Sequence, residues 1–167
     1  MAEDTGSLLV QDLLWRTDQT YGTGHRYSLG TALQGLTEQE AIWVPQEGER
    51  PILELLLHIA GSKILYENYA FGSRDKNWQN LEWPEWRLQS ALHWLDAAQK
   101  TLRDHLLVLN DADLDEPRPT HWGERLSLRV IFNLAIQHDI YHAGEIRCLR
   151  HLWARALRTG PPAEGKS

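Results

Sequence analysis

A single cysteine, Cys148, is the whole thiol inventory of this 167-residue chain, so no disulfide can form within it. Cross-linked secreted scaffolds are therefore excluded, and the composition suits a reducing, cytoplasmic compartment. Apolar runs of membrane-spanning length are missing too, and the opening MAEDTGSLLVQDLLW is acidic where a secretory leader would be basic. The expectation is a soluble, untargeted protein. Positive charge is in deficit: 17 Lys and Arg against 23 Asp and Glu leave a formal charge of -6. Such a balance repels a phosphate backbone and argues against nucleic acid as a partner. Alternating β-branched stretches are absent, as are internal repeats and low-complexity linkers. One Met and two Phe stand against eight Trp and eight His, so the aromatic bulk is amphipathic, suited to a half-wet pocket or an interface as well as to a core.

What is present is helical periodicity. Residues 8–20 predict a first helix running into YGTGHRY, where Gly22 and Gly24 make continuation costly. A shorter piece resumes over 28–36, and Thr37 can cap a turn that ends at Pro45. Pro51 suits the first position of a helix reading through ILELLLHIAGSKILYENYAF to Phe71, with Gly72 as the stop. Pro84 opens the next, striped by Leu88, Ala91, Leu92, Leu95, Leu102, Leu106 and Leu109. Ser127 can cap the last, whose stripe is Val130, Ile131, Leu134, Ala135, Tyr141, Leu149, Leu152, Trp153 and Ala156 before Gly160-Pro161-Pro162. Four helices with one apolar face each bury those faces together as an all-α, four-helix bundle. The expected organisation is a single domain over 1–160 with a flexible tail over 161–167. The segment from Gly72 to Trp83 is long enough to cross over along a helix, and that from Asn110 to Leu126 suits a lid or pocket wall.

Inside the last stripe, QHDIYHAGEI sets His138 and His142 one turn apart, about 40° around the helix, where the pattern calls for aliphatic residues. Two imidazoles so placed can share one transition metal. His58 is the third candidate, because LELLLHIAG sets it in the most apolar helix of the chain. Burying a lone imidazole forfeits its hydrogen bonds, whereas a shared cation satisfies three at once. Alone, each would read as an ordinary core histidine; together they read as a metal site. The others are weaker: His93 and His105 flank their stripe, His151 faces solvent, His121 and His25 lie in loops, and His25 reads as a turn residue that could reach a pocket mouth. HDIYH differs from the zinc-protease helix H-E-x-x-H in holding Asp139 where the catalytic glutamate would stand, one methylene short, which argues against a protease.

LLHIAG together with H-x-x-Y-H-x-G-x-I resembles the DinB-like superfamily of four-helix bundles, which includes the YfiT-type proteins. The likeness spans nearly the whole chain, and YGTGHRYSLGTALQGLTEQEA is similar to the segment preceding the first metal histidine in one branch of that family. The resemblance implies a divalent metal, zinc or nickel, on His58, His138 and His142 with water at open positions. It also implies an up-down-down-up bundle, for which the Gly72 to Trp83 crossover is suited, and a homodimer. One departure stands out: the family commonly has glutamine where this chain has Glu145. By periodicity Glu145 lies about 20° from His138, so its carboxylate is a candidate catalytic group that could orient a ligand, act as a base or bind the metal itself. Glu54, one turn before His58, is a second candidate to orient a ligand.

Three protein ligands leave a coordination position open, as catalytic metals require. Relatives implied by the resemblance include thiol-dependent transferases and an isomerase, so the expected activity is a metal-dependent transfer using a low-molecular-weight thiol on a small-molecule substrate. Cys148 falls about 80° off the histidine face and reads as a packed or flanking thiol. A hydrolase using metal-activated water, with Glu145 as proton acceptor, is the alternative. A non-enzymatic, metal-stabilised binding protein is the third reading.

Overall fold

The computed structural model describes residues 7–45 and 50–159. The expected tail over 161–167 and the helix stop at Gly160 lie outside the described residues. Six α-helices account for most of the rest: α1 (Leu8–Tyr21), α2 (Leu29–Leu33), α3 (Glu38–Ile42), α4 (Ile52–Ala70), α5 (Leu88–Leu107) and α6 (Leu128–Thr159). The four long ones, α1, α4, α5 and α6, pack as a bundle in which α1 and α4 each touch both α5 and α6. Among the described residues, no helix is long and apolar enough to cross a membrane.

Local chemistry sets the short elements. Ser28 and Thr37 cap α2 and α3, their hydroxyls accepting from the amides of Thr31 and Glu40, which satisfies donors a helix leaves open at its start. Ser7 makes no such bond for α1. Instead Asp111, from the loop after α5, accepts from the Ser7 hydroxyl at 2.7 Å and from the amides of Leu9 and Val10 at 3.1 Å. Arg150 of α6 ties the entry segment down, donating to Glu40 and to the carbonyls of Ala32 and Gln34.

α4 is the central helix. It is apolar nearly all round and buried from Ile52 to Ala70 on most faces, as a helix with neighbours on several sides must be. One core cluster joins its first half to Leu88, Ala91 and Leu95 of α5 and to Ala143, Ile146 and Leu149 of α6. A second cluster joins Ala70 to Leu102 and Leu106 of α5, to Ile131 and Phe132 of α6, and to Val10 and Leu13 of α1. The ends of α4 and α5 therefore coincide, with Phe71 stacked on His105 at 4.2 Å between ring centroids, and the crossover between them must return the full length of α4.

Several boundaries differ from the sequence reading. Pro51 is the N-cap of α4 rather than its first helical residue, and Phe71 is the C-cap. α5 begins at Leu88, not Pro84: Arg87 is extended, and the Leu88 amide donates to Glu38 at 2.9 Å, so the start is set by α3. Two strands appear where none was expected, β1 (Pro117–Pro119) and β2 (Arg125–Ser127), paired antiparallel around Gly123 at φ 93°. At three residues each they are too short to display alternation, and Ser127 ends a strand that runs straight into α6. Val130, Tyr141 and Leu152 of the proposed α6 stripe are exposed, whereas Phe132, Ile136 and Ile146 are buried. An apolar side chain on the flank of a helix has the same sequence signature as one on its inner face; only the neighbours decide the phase.

Candidate metal centre

Three imidazoles meet between α4 and α6. Nε2 of His138 lies 3.1 Å from Nε2 of His58 and 3.0 Å from Nε2 of His142, and the three candidate ligand nitrogens all fall within 4.8 Å of one another. Helix geometry accounts for the pair on α6, one turn apart; the packing of α4 against α6 supplies the third. His142 is buried and the other two are half-buried.

Two of the three rings are held from outside the cluster. Glu145, one turn on from His142, accepts a hydrogen bond from its Nδ1 at 2.8 Å, which turns Nε2 toward the other two rings. The other oxygen of Glu145 is 3.7 Å from the guanidinium of Arg50. His58 stacks on Trp78 from the crossover, ring centroids 5.4 Å apart and planes 10° from parallel. That seat exists because residue 61 is glycine: a Cβ there would come within 2.7 Å of the Trp78 ring and 3.2 Å of Leu81. The crossover itself is fixed by the buried Asn68, which donates to Asp75 and accepts from the Lys76 amide, both at 3.1 Å.

Burial pushes the pKa of His58 down to about 4, helped by His142 and Arg50 and opposed by Glu145. It pushes His138 down to about 3, helped by His142, His58 and Lys63. Both rings are therefore neutral at pH 7, the protonation state in which imidazole coordinates. Nε2 of His138 faces two neighbours, and a neutral imidazole nitrogen can either donate once or accept once, so the cluster by itself satisfies only one of the two contacts. The three nitrogens do fit a cation: tetrahedral ligands at 2.0–2.1 Å from a metal would sit roughly 3.3 Å apart, close to the 3.0 and 3.1 Å separations here.

Asp139, between the two α6 histidines in sequence, points elsewhere. Its carboxylate accepts from Lys63 Nζ at 2.8 Å, with both side chains only 2% exposed. Burial raises the Asp139 pKa, and the Lys63 ammonium opposes that. The aspartate is thereby committed to an internal ion pair and is not placed as the protease glutamate would be.

The remaining sequence candidates disperse. Glu54 lines a cavity next to His58. His25 lines a different one between α1 and α6, with Trp15 and Ile140. His93 and His151 are exposed, His105 bonds Glu67 at 3.0 Å, and His121 packs on Trp122 and Tyr66. Cys148 is exposed rather than packed. Trp78, Arg50 and Lys63 were not singled out from sequence. A buried lysine in an apolar run is a legible signal, whereas Trp78 and Arg50 sit in irregular segments without periodicity.

In comparison with protein families, the model of the DinB superfamily matches residues 23–146, a span that includes all three histidines and Glu145. Comparison with curated proteins finds no match.

Proposed function

The chain belongs to the DinB superfamily, and from that premise we propose that it is a metal-dependent transferase whose three-histidine centre activates a low-molecular-weight thiol. The observation that carries the reading is the convergence of His58, His138 and His142 on one point with their ring nitrogens. A divalent cation there, zinc or nickel, would supply Lewis acidity and hold a thiol as its thiolate at neutral pH. The protein's own residues prepare that point. Glu145 sets the tautomer and orientation of His142, Trp78 sets the plane of His58, and burial keeps His58 and His138 unprotonated. Orientation of a ligand through a carboxylate partner also raises its basicity, so Glu145 acts here through His142.

The same reading carries a small-molecule electrophile as substrate, a cytoplasmic location and a homodimer, for which exposed Trp15, Tyr27 and Tyr141 offer apolar surface. The test is elemental analysis of the purified protein followed by an activity screen with and without bacterial thiols. Stoichiometric metal with turnover only when thiol is added is the expected result. Turnover without thiol would replace the transferase with a hydrolase, and bound metal without any turnover would favour a binding protein.

A further inference from the structure

His58 belongs to two structures at once: the imidazole cluster and the wall of a cavity of about 410 Å³. Leu57, Trp78, Trp83, Pro84 and Trp86 make that wall largely apolar and aromatic. Trp83 lies nearly parallel to Trp78, 6.2 Å away between centroids, so His58, Trp78 and Trp83 form a stack along one side. Trp83 and Trp86 keep 44% and 55% of their surface exposed, so both indoles remain available to stack on a flat ligand. The size falls in the range of small-molecule sites.

Charge narrows the ligand. Besides His58, the ionisable groups in the lining are Arg50 and Glu54, one of each sign. A carboxylate or phosphate would gain from Arg50 and be repelled by Glu54, and an ammonium the reverse. Arg50 is moreover drawn toward Glu145. We propose that this cavity binds an uncharged, flat aromatic group, carried by the electrophilic co-substrate, with Trp83 and Trp86 as its specificity-determining residues. The assignment of that group to a co-substrate rests on the transferase reading; the binding itself does not.

The probe is 2-naphthol, neutral at pH 7, titrated by calorimetry and by saturation-transfer NMR against the metal-loaded protein. Its anionic counterpart 2-naphthoate and a trimethylammonium naphthalene serve as charged comparisons. Saturable binding of 2-naphthol is expected, stronger than that of either ion, with Kd raised about tenfold by Trp83→Ala or Trp86→Ala and unchanged by Trp15→Ala in the cavity between α1 and α6. Both targeted rings are exposed enough that their loss leaves the core intact. No binding, tighter binding of either ion, or sensitivity to Trp15→Ala alone would overturn the proposal. Elemental analysis of the protein as purified, run beside the same titration, separates the two readings. Binding that persists in protein found to hold no stoichiometric metal sinks the metal reading only, and absence of binding in protein with full metal content sinks the cavity assignment only.

Discussion

Glu145 and His142 are joined by a hydrogen bond of 2.8 Å from Nδ1 to the carboxylate, on the side of the ring opposite the nitrogen that faces His138. Because the donor and acceptor are three residues apart on one helix, the contact is local and forms whenever α6 does. Its consequence is long-range: it decides which nitrogen of His142 is free. Removing the carboxylate in Glu145→Ala should weaken metal binding by about 10- to 100-fold, while Glu145→Gln, which keeps an acceptor oxygen, should lose less. Competition against a chromophoric chelator measures this; equal affinity in wild type and Glu145→Ala contradicts the role.

His138→Ala and His142→Ala should each abolish stoichiometric metal, and His151→Ala, exposed on the same helix, should leave it bound. Elemental analysis of the three purified proteins checks this. Retention by all three would mean that the metal sits elsewhere.

In metal-free protein, stability should fall with acidification. Unfolded histidine titrates near pH 6.5, whereas His58 and His138 do so only at about 4 and about 3 when folded. Between those values the unfolded chain binds protons that the folded chain does not, so the folded state loses ground as pH drops through that window and has its full histidine contribution above it. Urea unfolding after chelation, repeated from pH 7 to pH 4, should show the midpoint decreasing. A midpoint that rises instead would show the folded rings gaining protons first.

Gly61→Ala places a methyl 2.7 Å from the Trp78 ring. Relieving that overlap must move Trp78 off His58, at a cost of about 1–3 kcal/mol. Denaturant unfolding gives the loss of stability, and weaker metal binding by the same variant would show that the displacement reaches His58. An unchanged unfolding midpoint would mean that the indole has somewhere else to go.

Lys63→Met should be more damaging than its apolar character suggests. It leaves Asp139 buried without its ammonium partner, and breaking such a pair costs about 3–5 kcal/mol. Replacing both, as Lys63→Met with Asp139→Leu, should recover much of that loss. Equal destabilisation by the single and double variants, measured by urea unfolding, would show that the pair is not the source.

The candidate ligands were legible because helical spacing is a local property. His138 and His142 share a face through the pitch of one helix, and His58 announced itself as an imidazole among leucines. The α5 stripe is readable for the same reason from Leu88 to Leu106, all of it buried except the half-buried Leu92, whereas Leu109 falls beyond the helix end at Leu107. In α6 apolar residues also occupy the flank, so periodicity alone leaves the phase ambiguous, and Val130 and Tyr141, both on the predicted stripe, face out.

What the chain determined by itself is a set of amphipathic helices and the registry of histidines along them, because hydrogen bonds from each amide to the fourth preceding carbonyl place those side chains without outside help. Which surfaces meet was decided only by packing. The seat of Trp78 on His58 through Gly61, the approach of Arg50 to Glu145, the Lys63 to Asp139 pair and the capping of α1 by Asp111 all join residues far apart in sequence. Contacts of that kind depend on the bundle closing and leave no periodic mark along the chain.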